Sequence, residues 1–469
     1  MAASGLFARK SLEEALAETE KGGFRRALGA LDLTSLGVAA IIGSGIFFLL
    51  GNEARTTGPA VTMSLVVGGV AAVLSAFTFA ELASLLPGSG SAYTYVYTAL
   101  GQLPAFFIGW IILNAYAVGN MTVAIGWSSY FTAGTRTAGW DLPSSLTASP
   151  PDGILNLPAL VLVALVTLLT LPKIRESTVV NNLLVGLKFL IVLFIIAFGF
   201  FLIRPGNYVP FNPGGFSGVT GSAAILFFAY LGYDTVAATA EEAKNPRRDL
   251  PLGIILSIAV STVLYVLMAI VVTGMTATAD MPDDRPPVAA GFQDRGYGWA
   301  FGLITVGALV GQATVIFAFH TALVRILHAM ARDGFLPKRF AKLHRSTGTP
   351  WALTLWVGGL TALGAGLIPL NRVADMTVLA SIVMYVLVAA GVLVLKVLRP
   401  EAPRRFSTHW SVAVAAILVL GAIAVLGIGP EIHLFLLAWM GLGLMVYGFY
   451  AHRRAEAARH ERTRRSTPA

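Results

Sequence analysis

The 469-residue chain lacks cysteine and carries little charge, with only 12% of its residues Asp, Glu, Lys or Arg, against about 25% in an average soluble domain. Without cysteine there is no disulfide framework, no thiolate metal site and no cysteine nucleophile. The seven histidines are scattered without ligand spacing, so neither a metal nor a cofactor is expected. The G-x-x-x-x-G-K-[ST] pattern that cradles nucleotide phosphates is also missing, which argues against transport driven by nucleotide hydrolysis. Residues 1–31 contain no apolar stretch long enough for a signal peptide and read as a cytosolic tail with a short amphipathic surface helix.

What the chain has in abundance is apolar sequence: 56% of residues are hydrophobic and the mean hydropathy is +0.74. Since a helix needs about 20 residues to cross a ~30 Å hydrocarbon core, most of this chain is expected inside a bilayer. Long uncharged runs fall near 33–52, 59–85, 104–132, 155–172, 177–203, 217–243, 250–275, 299–326, 350–369, 374–396, 409–428 and 432–451. They predict an all-α integral membrane protein of twelve spans, with both termini on one side. Sorting the 33 Lys and Arg on that basis puts 25 on the side of the termini and six on the other, with Lys188 and Arg325 inside spans. By the positive-inside rule both termini are cytoplasmic, in an inner or plasma membrane. The net charge of +9 therefore reflects topology, and no nucleic acid partner is expected.

Twelve spans with no soluble domain suit a secondary transporter. The rival from another class is a membrane-embedded enzyme, which would place paired His or carboxylates on facing helices. Here His320, His328, Asp234 and Glu81 are spread along the chain without such spacing. Secondary transporters often bind substrate at mid-membrane, where helices are interrupted and freed backbone groups face a cavity. Two spans carry such interruptions: Ile41-Ile42-Gly43-Ser44-Gly45-Ile46-Phe47 in the first, and Phe227-Phe228-Ala229-Tyr230-Leu231-Gly232-Tyr233-Asp234 in the sixth. Their spacing fits an inverted repeat of five plus five helices, 32–204 and 205–398. Helices 11 and 12 would then occupy 399–452, between the 1–31 tail and a basic cytoplasmic tail at 453–469.

Unwinding at Gly43-Ser44-Gly45 would expose N–H groups at a helix start, where the dipole attracts a carboxylate. Carbonyls near Ile41, Phe228 and Leu231 would accept from an ammonium. Together these describe a site for a zwitterion. The alternative is that Gly-x-Gly merely lets two helices pack closely.

Both interrupted stretches resemble signatures of the amino acid–polyamine–organocation superfamily. Leu36-Gly37 through Phe47 looks like its first-helix signature. FFAYLGYDTVAATAEEAKNPRRDLPLGII at 227–255 is similar to the sixth-helix block of the cationic amino acid transporter branch and its bacterial relatives, and PGSGSAYTY at 87–95 and MARDGFLP at 330–337 fit the same pattern. The resemblance covers about residues 30–450 and implies the leucine-transporter fold with helices 1 and 6 broken, an L-amino acid substrate and usually proton coupling. It implies that the Ser44 and Gly45 N–H groups, with Gly43 alongside, hold the carboxylate. The Ile41, Phe228 and Leu231 carbonyls would hold the amino group, with Ala229 in the same bend and the Phe228 ring as a gate. Asn114, Ala115, Tyr233 and His320 are candidates for the side-chain pocket.

The third span departs from the cationic branch, which commonly carries a glutamate where this chain has Ala115, beside Asn114. Small or neutral substrates are therefore expected over arginine or lysine, whose buried charge would lack a partner. Asp234 has a structural alternative as the cap of the second half of the sixth helix, and Glu81 as a charged group at the cytoplasmic end of the second. Lys188 sits deep in the fifth span, where a lysine is costly and usually faces a cavity. The resemblance places it where sodium-coupled relatives bind a cation, so Lys188 is expected to couple protons by bracing the fifth helix against carbonyls around Gly43. Gln312 and His320 make the eighth span polar, with His320 either a hydrogen-bonded bundle-facing histidine or a substrate-facing or proton-sensitive group. The expected function is proton-coupled uptake of small or neutral L-amino acids, with an amino acid or amine exchanger as the alternative. The expected partners are substrate, protons and lipid, and protein partners are left open.

Overall fold

The computed structural model describes residues 9–10, 27–86, 91–171, 178–282, 285–402, 404, 406–452 and 454. The expected surface helix of the N-terminal tail, the first four residues of the 87–95 motif and nearly all of the basic tail at 453–469 lie outside the described residues.

Among the described residues the chain is helical without strands, and an isolated bridge joins Leu28 to Ala243. The helices are α1 Ala30–Ile41, α2 Leu50–Thr57, α3 Val61–Leu85, α4 Ser91–Ala99, α5 Gln102–Thr137, α6 Leu157–Leu169, α7 Thr178–Phe200 and α8 Gly215–Phe227. They continue as α9 Tyr233–Ala238, α10 Pro246–Met275, α11 Pro287–Gln293, α12 Gly298–Arg332, α13 Trp351–Leu367, α14 Leu370–Leu398, α15 Trp410–Gly427 and α16 Pro430–Val446. Among the described residues nine stretches are long and apolar enough to cross a membrane, and α1, α6 and α13 are shorter apolar helices. Each of the twelve runs expected from sequence falls on one of these helices or on a pair. The two that fall on pairs are the first, split between α1 and α2, and the sixth, split between α8 and α9.

At 1.5 Å per residue the 25 residues of α3 extend about 37 Å, enough to cross the hydrocarbon. α5 and α12, with 36 and 35 residues, are longer than the membrane core requires and pack against each other. α3 packs on α10, α10 on α1, and α13 on α6. The outer helices expose apolar side chains such as Leu418, Val425, Leu434, Leu437 and Phe449. In water such a surface would be unstable, whereas lipid tails cover it at no cost. α16 is tied to α5 by a reciprocal pair: Trp110 Nε1 donates to the Trp439 carbonyl at 2.9 Å and Trp439 Nε1 to the Trp110 carbonyl at 3.1 Å. Indole N–H groups need such acceptors once they are away from water.

Two acidic groups differ from the sequence-based expectation. Glu81 is not a solvated terminal charge: it is 1% exposed. Its carboxylate meets Lys396 Nζ at 3.1 Å and Arg404 Nε at 3.5 Å, and accepts from Thr408 N and Oγ1 at 2.9 and 2.7 Å. Lys396 comes from the last turn of α14, and the segment between α14 and α15 folds back over the end of α3 to supply Arg404 and Thr408. Asp234 does not cap α9, because the cap position is taken by Gly232 without a side-chain bond. The Asp234 carboxylate instead accepts from Tyr116 and, at 3.3 Å, from Tyr385.

Candidate functional site

The first interruption follows from one extended residue. α1 ends where Ile42 adopts φ −72°, ψ 102°, and the chain turns helical again at Ser44, running through a wide turn at Gly45–Leu49 into α2. The first N–H groups of a helix have no acceptor within it, which places Ser44, Gly45 and Ile46 at an anion-favouring end. In the second interruption α8 tightens over Phe228–Tyr230, Leu231 extends at ψ 144°, and Gly232 takes φ 116°, a left-handed conformation that favours glycine.

The two interruptions touch. A side chain at Gly45 would collide with the backbone of Ala229, and one at Gly232 would lie 2.8 Å from the Ala40 carbonyl oxygen. Glycine at these two positions is what allows the two bends to meet. Gly43 faces Val315 of α12, whose Cγ2 would stand 3.0 Å from an added Cβ. Ile41, Gly43, Ser44, Gly45, Phe228, Ala229 and Leu231 are all buried at this junction.

Three tyrosines hold the bends. Tyr265 of α10 donates its hydroxyl between two carbonyls, that of Ile41 at 2.8 Å and that of Ala229 at 2.9 Å, one from each interruption. Tyr130 of α5 donates to the Phe47 carbonyl at 2.6 Å, and Tyr230 donates to the Leu65 carbonyl at 2.7 Å. Sequence reasoning passed over Tyr265 and Tyr130. The available signal was a phenol in mid-span, whose hydroxyl must find an acceptor in an apolar surround. Phe228 O already accepts from Leu231 N at 3.1 Å.

Lys188 lies in the same neighbourhood. It is 2% exposed, its stem packs against Gly311 of α12, and its Nζ donates to the Ala39 carbonyl at 2.7 Å, in the last turn of α1. The lysine therefore bridges α7 to the helix end just before the first bend.

The candidate pocket residues are dispersed. Ala115 is buried on α5 next to Tyr116, whose ring packs against Phe319 at 5.2 Å and whose hydroxyl meets Asp234. Asn114 is buried with Oδ1 unpartnered. Tyr233 turns toward α3 and α14, bonding Ser75 Oγ at 2.7 Å and stacking on Tyr385 at 5.1 Å. His320 is buried with both ring nitrogens unpartnered. At 3.6 residues per turn it lies about 140° around α12 from Val315, the residue facing Gly43. Among the described residues no cluster of three or more His, Asp or Glu has the spacing to hold a metal.

Two interrupted helices in backbone contact at the centre of an apolar helical bundle define a multi-pass membrane transport protein. The chain matches the amino acid permease family over residues 28–443 and belongs to that family, within the amino acid–polyamine–organocation superfamily of transporters. It is 38% identical to the branched-chain amino acid permease BcaP of Bacillus subtilis over 458 residues, covering 96% of this chain and 98% of the relative. It is equally 38% identical to a methylthioribose transporter of the same organism, over 457 residues and the same shares. Human cationic amino acid transporter 4 is 36% identical over 410 residues, which are 84% of this chain and 63% of that longer protein. These relatives are transporters or permeases rather than enzymes, and the family the chain belongs to is one of amino acid permeases.

Proposed function

We propose that this permease imports small or neutral L-amino acids together with protons across the cell membrane, by alternating access in a leucine-transporter fold. In this reading twelve helices span the membrane with both termini cytoplasmic. Residues 32–204 and 205–398 form the two inverted repeats, and 399–452 supply helices 11 and 12. The α-carboxylate sits at the Ser44 and Gly45 N–H groups and the α-ammonium at the Ile41, Phe228 and Leu231 carbonyls, with the Phe228 ring closing over them. Neutral specificity is favoured by Ala115, which offers no carboxylate to a cationic side chain, and by the likeness to a branched-chain permease. The cationic transporters among the relatives pull the other way, and a missing counter-charge outweighs overall likeness because an unpaired buried cation is costly.

The observation that carries proton coupling is the 2.7 Å bond from Lys188 Nζ to the Ala39 carbonyl. A charged ammonium braces α7 against the end of α1. Losing its proton weakens that brace and frees the first interruption to move. The test is uptake of each of the twenty amino acids into proteoliposomes with an imposed pH gradient, in the presence and absence of sodium. Concentrative uptake of alanine, leucine or similar substrates without a sodium requirement supports the reading. Strong arginine uptake refutes the neutral assignment. Uptake that needs internal amino acid and ignores the gradient makes the protein an exchanger, and preferred binding of methylthioribose refutes the amino acid assignment.

A further inference from the structure

α5, α12 and the first interruption converge on one point that no hydrogen bond among the described residues fills. A Cβ at Gly126 of α5 would lie 2.8 Å from Gln312 Oε1, 3.2 Å from Ser44 Cβ and 3.5 Å from Phe48 Cβ. Gln312 is fully buried and Ser44 1% exposed. Gln312 Oε1, Gln312 Nε2 and Ser44 Oγ all lack a partner among the described residues. Buried amides and hydroxyls are nearly always satisfied, so unpaired ones side by side in a native fold call for a guest.

We propose that Gln312 Nε2 and Ser44 Oγ form the side-chain arm of the substrate carboxylate site, adding two directed donors to the N–H groups of the first interruption. The guest must offer acceptors to both donors at the positive end of a helix, and a carboxylate does so with two oxygens and the right charge. Gln312 Oε1 then keeps an acceptor position for water. Gly126 has no side chain because any Cβ would press on the amide. This inference rests on the amino acid reading above and deepens it, since Gln312 would contact the part common to every amino acid and not the variable side chain.

The experiment measures binding of radiolabelled L-alanine, L-leucine and L-serine to the purified full-length protein and to Gln312→Leu, Gln312→Glu and Gly126→Ala, with thermal unfolding of each. Gln312→Leu is expected to weaken all three ligands by about the same factor, near tenfold, with the melting temperature unchanged or raised. Gln312→Glu is expected to bind at least tenfold worse than Gln312→Leu, because like charges then face each other. Gly126→Ala keeps the amide but displaces it, and should reproduce the uniform loss. The proposal is overturned if Gln312→Leu binds as the unaltered protein does, if its loss is confined to one ligand, or if Gln312→Glu binds as well as Gln312→Leu. A loss that appears only with a lowered melting temperature, in both Gln312→Leu and Gly126→Ala, assigns Gln312 to the fold and also overturns it. If the unaltered protein binds no amino acid, the functional reading fails and this inference with it.

Discussion

Replacing Tyr265 with Phe removes one hydroxyl and nothing else from the junction. The ring stays in its place, 5.4 Å from and edge-on to Tyr230, so no cavity opens. The hydroxyl has one proton for two acceptors, Ile41 O at 2.8 Å and Ala229 O at 2.9 Å, so the loss is that of one net hydrogen bond. Adding part of the penalty for a buried carbonyl left without a donor gives about 2 kcal/mol of lost stability in the empty protein. A substrate ammonium at the Ile41 carbonyl would return a donor to it. The variant should therefore regain about 1 kcal/mol more on binding than the unaltered protein, which is roughly fivefold tighter affinity. Thermal unfolding in detergent, with and without saturating substrate, together with equilibrium binding, tests both halves. Tyr265→Phe should melt earlier when empty and gain more from substrate. An unchanged melting temperature would show that the hydroxyl is not shared between the two bends. A weakened affinity would refute the placement of the ammonium at Ile41 and make Tyr265 a strut that shapes the site.

Three further substitutions test other parts of the account. Lys188→Met keeps the stem against Gly311 and removes the charged bond to Ala39, worth about 1.5–3 kcal/mol. Accumulation driven by a pH gradient should vanish while equilibrium binding stays within a few-fold, and retained accumulation would move the proton elsewhere. Gly232→Ala forces a side chain into a left-handed backbone at about 1–2 kcal/mol and sets its Cβ 2.8 Å from Ala40 O. Transport should fall with stability, and an unaffected variant would mean the bends are not in contact. Glu81→Gln leaves Lys396 and Arg404 without their buried counter-charge, at about 3 kcal/mol. The loss should appear as faster thermal inactivation with substrate affinity unchanged, and normal inactivation kinetics would show that the segment between α14 and α15 is held some other way.

The positions of the interruptions were legible because glycine leaves a strong mark in an apolar run. Gly43-Ser44-Gly45 and Gly232 are where the helices break, and Lys188 stands out because a charge amid apolar sequence demands a partner. The apolar runs were legible as helices, but three of the helices they fall on are shorter than a full crossing. Hydropathy measures composition and does not see where α6 or α13 stops. The partners of buried polar groups were not legible at all. Asp234 read as a cap because aspartate after a helix break usually is one. Yet the tyrosines that reach it, Tyr116 and Tyr385, are 118 and 151 residues away in the chain. Glu81 read as interfacial because distance along α3 put it at the helix end. What buries it arrives from 315 to 327 residues later. Asn114 reads as a pocket residue because it adjoins the position of the family's glutamate, and His320 because it is polar deep in a span; neither signal gives the direction a side chain takes around its helix.

The two halves of the proposed site differ in how the protein treats them when empty. On the ammonium side the carbonyls of Ile41 and Ala229 share a phenol from α10, and Phe228 O accepts from Leu231 N. On the carboxylate side the Ser44 hydroxyl and the Gln312 amide have no partner among the described residues. A carbonyl has two lone pairs and can take an ammonium without losing its first donor, so filling the ammonium side changes the bonding of the bends little. Filling the carboxylate side satisfies groups that the empty protein leaves unpaired, which makes it the half whose occupancy changes the relative stability of the empty and loaded states. A ligand shifts a conformational equilibrium only by its differential affinity for the two states. The carboxylate should therefore be the part of the substrate that drives closure, and plain amines should occupy the site without being carried across.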